Sequence, residues 1–141
     1  MDMEISFPGG LRVDARLGDT HIPTDQPAQA GGGGSAPSPF LLFLGSIGTC
    51  AGIYVLQFCR QRGIPTDDIR IIQHHEARAL TNMIGKVTLE IQVPPSFPQR
   101  YLKTLEKVAA QCAVKKHLEN PPEFATTTTV VGEDSETAAQ A

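Results

Sequence analysis

From Pro39 to Cys59 the chain carries no charged residue, and few architectures can absorb such a segment. Its length suits a membrane-crossing helix, and Arg60 and Arg62 sit where a positive flank would. Gly45, Ser46, Gly48, Thr49, Gly52 and Gln57 dilute the apolar character, however, and the flanking segments read as soluble strands and amphipathic helices that need a core. The expectation is a buried central helix rather than a membrane span. A helix that is apolar all round must be covered all round, which 141 residues supply with difficulty. At about 100° per residue, Gly45, Gly48 and Gly52 fall in one narrow arc. Each glycine costs roughly 1 kcal/mol against alanine in a helix interior, so the stripe implies close approach of another backbone. This predicts a homodimer with the helix at its centre; the plainer alternative is close packing on the protein's own sheet.

Local signals frame the helix. Ser38-Pro39 supplies a cap and a first-turn proline, and Gly63-Ile64-Pro65 stops it near Arg62. Before it, segments 5–7, 11–17 and 20–22 read as three short strands divided by Pro8-Gly9-Gly10 and Gly18-Asp19. Leu11, Val13, Ala15 and Leu17 alternate with Arg12, Asp14 and Arg16, which predicts an apolar buried face and a charged outer one. Residues 23–37, rich in Gly and Pro, read as a flexible loop. After the helix, 69–78 and 86–93 read as strands joined by a turn at Thr81-Asn82, and 97–111 as a helix. A short helix over 113–118 and a β-branched strand over 124–131 follow. The reading is an α+β fold in the order β-β-β-α-β-β-α-α-β. Residues 1–131 form a single domain and 132–141 a disordered tail.

The balance of 12 basic against 15 acidic residues gives a net charge of -3, which argues against a nucleic-acid surface and a polybasic membrane patch. Met1-Asp2-Met3-Glu4 lacks the positive start of a signal peptide, so the cytoplasm is expected. There the three cysteines stay reduced, and any disulfide would be transient and catalytic. No CxxC motif exists, and too few ligands gather for zinc. No metal or cofactor is expected. Cys59 is rotated by about 180° from Cys50 along the helix, so the two face different surroundings. Cys112 ends the second helix, and a link to it would be tertiary. A free cysteine is commonly a small buried hydrophobe, and this suits Cys59 beside Arg60.

Gly31-Gly32-Gly33-Gly34-Ser35-Ala36-Pro37-Ser38-Pro39, followed by Leu41-Leu42-Phe43-Leu44-Gly45-Ser46-Ile47-Gly48-Thr49-Cys50, resembles the glycine-rich loop, Ser-Pro helix start and helical cysteine of OsmC/Ohr proteins. Ala109-Ala110-Gln111-Cys112-Ala113-Val114 is similar to that family's second cysteine segment. The resemblance spans roughly residues 4 to 131 and includes the order of elements. It implies an intertwined homodimer and reduction of organic hydroperoxides or hydrogen peroxide. It also implies that Cys50 is the peroxidatic thiolate and Cys112 its resolving partner, with an external dithiol resetting the pair. The thiolate needs a cation, because apolar burial raises a thiol pKa. The family takes an arginine from its N-terminal strands, and Arg12 and Arg16 are the candidates, with Arg16 preferred for its place near the third strand.

Two positions depart from the family pattern. Phe40 and Leu41 stand where a first-turn glutamate usually holds the arginine, and Ala113 stands where proline often follows the second cysteine. Asp14, Asp19 and Asp25 are the acids available as substitutes. The rival reading is therefore a catalytically degenerate dimer that binds a small apolar or thiol ligand. Phe43, Ile47 and Tyr54 share the general side of Cys50 and suit either a substrate pocket or plain core packing. His74-His75-Glu76 supplies at most two ligands to one strand face; His21 and His117 are isolated.

Overall fold

A computed structural model describes residues 1–132. The expected tail lies, apart from Gly132, outside the described residues. The described residues form two antiparallel sheets and one long helix, and the second sheet packs against that helix. Strands β1 (Glu4–Gly9), β2 (Arg12–Leu17) and β3 (Thr20–Ile22) form an antiparallel meander in that order. Helix α1 runs Pro39–Gln61, and β4 (Arg70–Ala77) pairs with β5 (Ile84–Gln92). Helices α2 (Leu102–Ala109), entered through a 3-10 turn at Gln99–Tyr101, and α3 (Ala113–Glu119) close the order.

The start of α1 forms as its residues dictate. Ser38 Oγ accepts the Leu41 N–H at 3.3 Å, and Pro39 occupies the first turn. Ile47, Ala51, Val55, Phe58 and Cys59 recur along one stripe and are buried. With Phe97, Leu105 and Ala109 from the α2 segment they make the core, against which Ile71, Leu89 and Ile91 of the β4–β5 sheet pack. By length and composition α1 alone among the described helices could cross a membrane, yet this stripe is sealed by α2 and the sheet.

Four expectations need correction. Among the described residues α1 is not covered all round: Phe43 and Ile53, off the buried stripe, are exposed, and so are Phe40 and Leu41 in the first turn. Two of the three stripe glycines, Gly48 and Gly52, face the protein's own β4, the plainer of the two alternatives, whereas a Cβ on Gly45 would meet nothing within 4 Å. A Cβ on Gly48 would lie 2.6 Å from Gln73 Oε1, and one on Gly52 would lie 3.8 Å from Ile71. Gln73 also donates to the Leu44 carbonyl at 2.9 Å, so a polar side chain is laid along the helix where side chains are missing.

The alternation in β2 misleads in one place. Asp14, predicted to face outward, is 5% exposed, whereas Leu11 is exposed. Asp14 is buried because it collects hydrogen bonds from three directions, described below. The segment 23–37 is not a slack loop either. Asp25, 2% exposed, accepts from the Gln26 N–H at 2.7 Å, the Ser35 N–H at 3.0 Å and the Ser35 hydroxyl at 2.6 Å. Those bonds hold its carboxyl down to about 2, burial opposing them. A side chain at Gly32 would run into the Gln26 backbone, so the fold-back requires glycine there.

The fourth correction concerns residues 124–131. They form no strand, and Phe124, Val130 and Val131 are exposed. A β-branched run becomes a strand only against a neighbour's edge, and among the described residues none is brought to it.

Candidate functional site

Cys50 sits in the middle of α1, half-buried, whereas Cys59 and Cys112 are buried. The helix rotation explains the difference. Cys59 lies on the core stripe at 0% exposure, and burial pushes its thiol up, with Arg62 opposing. Cys50 is turned about 100° from Ala51, onto the flank between the sealed and open sides. Phe43, Ile47 and Tyr54 lie within about 60° of it on the same wheel. Phe43 is exposed, Ile47 buried and Tyr54 half-buried, so the flank is an apolar surface graded from solvent to core.

Cys112 is 1% exposed. It caps α3, its Sγ accepting the Lys115 N–H at 3.3 Å. It also lines a cavity of about 290 Å³ whose wall includes Ile47, Val87, Leu89, Ala109 and Leu118, with Glu106 and Lys115 at its polar margin. Ile47 precedes Cys50 by three residues, so this cavity reaches α1 about one turn from Cys50. Both are free thiols, and Cys50 is not among the residues that line this cavity. Phe43 and Ile47 line a second apolar cleft with Met83 and Ile84.

The arginines separate clearly. Arg16 is exposed, lies opposite His21 in the β2–β3 register and makes no ion pair among the described residues. Arg12 is half-buried, and its guanidinium donates to Asp14 Oδ2 at 3.0 Å. His21 Nε2 shares that oxygen at 2.8 Å, and the Thr24 N–H donates to Oδ1 at 3.4 Å. Burial alone would raise the Asp14 carboxyl. The His21 and Thr24 hydrogen bonds and the Arg12 charge outweigh it and hold the group below its ordinary value. Asp14 and Arg12 therefore form a fixed pair, with His21 as a third member that isolated reading leaves without a role. The sequence signal for it is weak, because hydrophobic alternation points Asp14 the wrong way.

Asp19 is exposed, and Asp25 is committed to the loop. Within one chain the β1–β3 meander does not pack substantially on α1 or on the β4–β5 sheet. It is tied back through the Val13 N–H to Thr24 carbonyl bond, and the Asp25 N–H then binds the Pro37 carbonyl. Arg12 and Cys50 are thus presented by different parts of the chain. Elsewhere, His74 approaches Glu90 at 4.0 Å and Glu76 approaches Lys86 at 3.9 Å. Among the described residues no three His, Cys, Asp or Glu gather as a metal site.

Comparison with known proteins places this arrangement. Residues 32–127 match the family model described as OsmC-like protein, a span that includes both Cys50 and Cys112. The fold is similar to that of a Psychrobacter arcticus 273-4 protein described as an osmotic stress induced and detoxification response protein. Identity is 22%, coverage 81% of this chain and 85% of that one, and the TM-score 0.64. An OsmC like protein from Mycoplasma pneumoniae is 11% identical, with 85% and 87% covered and a TM-score of 0.61. An organic hydroperoxide resistance protein OsmC from Legionella pneumophila is 15% identical, with 83% and 87% covered and a TM-score of 0.50. No curated protein matches the chain. The matched span covers well over half of the sequence, and the chain belongs to the OsmC-like family.

Proposed function

We propose that this protein is a thiol-dependent hydroperoxide reductase that works as a homodimer, with Cys50 as its peroxidatic residue. The observation that carries the reading is the contrast among the three thiols. Only Cys50 is not sealed in the core, and it occupies the family's helical cysteine position within the matched span. Its flank of Phe43, Ile47 and Tyr54 suits the organic portion of an alkyl hydroperoxide. Family membership supports a peroxide-related role.

In this mechanism the Cys50 thiolate attacks one peroxide oxygen. The O–O bond breaks, the sulfur is oxidised to a sulfenic acid, and the alkoxide leaves and takes a proton to become an alcohol. The Cys112 thiol then displaces the sulfenic hydroxyl as water, forming the Cys50–Cys112 disulfide. An external dithiol reduces that bond by exchange and carries away the two electrons. The thiolate needs a cation, and Arg12 is the better candidate, because Asp14 fixes it while Arg16 is unpaired. Asp14 thus stands in for the acid that the first turn of α1 lacks. Because the meander does not lie on its own α1, we assign Arg12's approach to Cys50 to the assembled dimer.

The case for a dimer is physical. The chain exposes 11097 Å², whereas a compact monomer of 15.1 kDa exposes about 7,100 Å². The exposed segment 124–131 and the exposed Phe43 and Ile53 of α1 contribute to the excess. A stable interface needs well under half of that excess. The same association gives the β-branched run 124–131 a strand edge to pair with. This reading places the protein in the cytoplasm, without membrane or nucleic-acid partners.

Purified protein given cumene hydroperoxide and a dithiol should turn over, with a sulfenate or a Cys50–Cys112 disulfide detectable by mass spectrometry. Absence of both turnover and Cys50 oxidation would overturn the assignment. A second reading then stands: a non-catalytic dimer that binds a small apolar or thiol ligand. It is favoured by the cavity that meets Cys112 and not Cys50, and by the first turn of α1, which holds no acid.

A further inference from the structure

At the far end of α1 from Ser38 a second cluster stands apart from the thiols. Phe58 is eight residues beyond Cys50, about 12 Å along the helix axis. The Arg62 guanidinium lies 3.7 Å over the Phe58 ring and 5.3 Å from the centre of the Tyr101 ring. Arg100 lies 4.6 Å from the same Tyr101 ring. Phe58 and Tyr101 meet edge to face at 5.5 Å, so the two rings form a rigid base beneath two cations.

The charge there is unbalanced. Arg62 spends one donor on the Phe58 carbonyl at 3.2 Å, which complements the end of α1. Arg100 spends its own interaction on the Tyr101 side chain. Neither arginine forms an ion pair with an acid among the described residues. Tyr101 is also the residue that begins α2, whose start has no side-chain cap and no acid in its first turn. Two guanidinium groups thus meet at the Tyr101 side chain, and no acid among the described residues pairs with either. The Tyr101 hydroxyl registers the field. Arg100 first, and Arg62 after it, pull its pKa below the ordinary phenol value, with burial opposing.

We propose that Arg62, Arg100 and Tyr101 form a binding site for a phosphate-type dianion, such as the phosphate group of a small phosphate monoester. Guanidinium forks match the spacing of two oxygens on such a group, the phenol donates to a third, and two positive charges balance a dianion. Aromatic stacking holds both forks in place before the ligand arrives, which lowers the ordering cost of binding. The site does not depend on the thiol chemistry and stands whether or not Cys50 reduces peroxides.

The test uses the full chain and inorganic phosphate as probe, titrated by calorimetry at constant ionic strength against sodium chloride and sodium acetate. Phosphate is expected to bind saturably, and the monoanions are not. Arg100→Gln should weaken phosphate binding by on the order of tenfold, and Arg100→Lys by less, since it keeps the charge and loses the fork. Arg100 lies on the turn outside the core, so circular dichroism should show both variants folded. As an independent readout, saturating phosphate should raise the midpoint of Tyr101 ionisation, followed by ultraviolet absorbance with Tyr101→Phe as the subtraction control. Absence of saturable phosphate binding overturns the proposal. So does binding that Arg100→Gln leaves unchanged, or a Tyr101 midpoint that phosphate does not move.

Discussion

The two sides of α1 teach different things. One side is a closed stripe, Ile47, Ala51, Val55, Phe58 and Cys59, locked against α2 and the β4–β5 sheet. The other carries the exposed apolar residues Phe43 and Ile53 among Thr49, Gln57 and Arg60, and no described element covers it. Composition separates the sides only weakly, through Thr49, Gln57 and Arg60 on the open one. What separates them is where β4 and α2 come to rest. Chemistry of use to a thiol belongs at the border. A sulfur on the closed stripe is held protonated by burial, as Cys59 is; one on the border is reachable, as Cys50 is.

The largest expected effect sharpens this contrast between two cysteines of one helix. Cys50→Ser should lower peroxide reduction by about 10³-fold or more, since it removes the attacking atom. Cys59→Ala should leave kcat intact and cost roughly 1 to 2 kcal/mol of stability through lost packing. Equal loss of activity in both variants would erase the distinction between border and core.

Next in size is the contrast between the two sides. Leu105→Ala, beneath the closed stripe, should destabilise by about 2 to 5 kcal/mol in denaturant unfolding. Ile53→Asp, on the open side, should convert the dimer to a monomer on a sizing column, because burying a lone charge in an interface costs several kcal/mol. If the wild type already elutes as a monomer, or Ile53→Asp leaves a dimer intact, the open side of α1 is not the interface.

A smaller effect probes how closely α1 approaches β4. Alanine at Gly48 gains up to about 1 kcal/mol of helix propensity but displaces the Gln73 amide from the Leu44 carbonyl. Gly48→Ala should therefore be near neutral alone and stabilising by about 1 kcal/mol in a Gln73→Ala background. Thermal unfolding of the four proteins measures the coupling; simple additivity would mean that the two residues do not compete for space.

The smallest effect lies in acid. Asp14 and Asp25 both have folded-state pKa values below the ordinary carboxylate range. Their contribution is complete above the unfolded value near 3.9. For Asp25 it is lost as pH falls from about 4 towards its folded value of about 2. In Asp25→Asn that acid-dependent loss should be reduced, and limited proteolysis at neutral pH should cut within 26–35 more readily than in the parent. Unchanged cleavage would show that the loop does not depend on this carboxylate.

Legibility in the sequence followed the range of the interaction concerned. Ser38, Pro39 and Gly63 set the bounds of α1 because capping and termination involve neighbours in the chain. The three strands of the meander and the β4–β5 hairpin were equally readable from turn residues and alternation. The family was readable from the loop and the Cys50 and Cys112 segments. By contrast, the burial of Asp14 depends on His21 and Thr24, and the form of the loop depends on Asp25 reaching Ser35. Hydrophobic alternation has no signal for a carboxylate that is buried because its partners come with it.

The amino-acid order thus determined the elements, their sequence along the chain and the residue types available for thiol chemistry. These rest on torsional preference, caps and periodicity, which act over a few residues. Tertiary structure alone decided that Gly48 and Gly52 of α1 meet Gln73 and Ile71 of β4, that Arg12 rather than Arg16 is fixed by an acid among the described residues, and that residues 124–131 find no strand partner among them. Each of those outcomes is a contact between segments far apart in sequence. Such contacts are set by which surfaces remain to be covered once the local elements have formed.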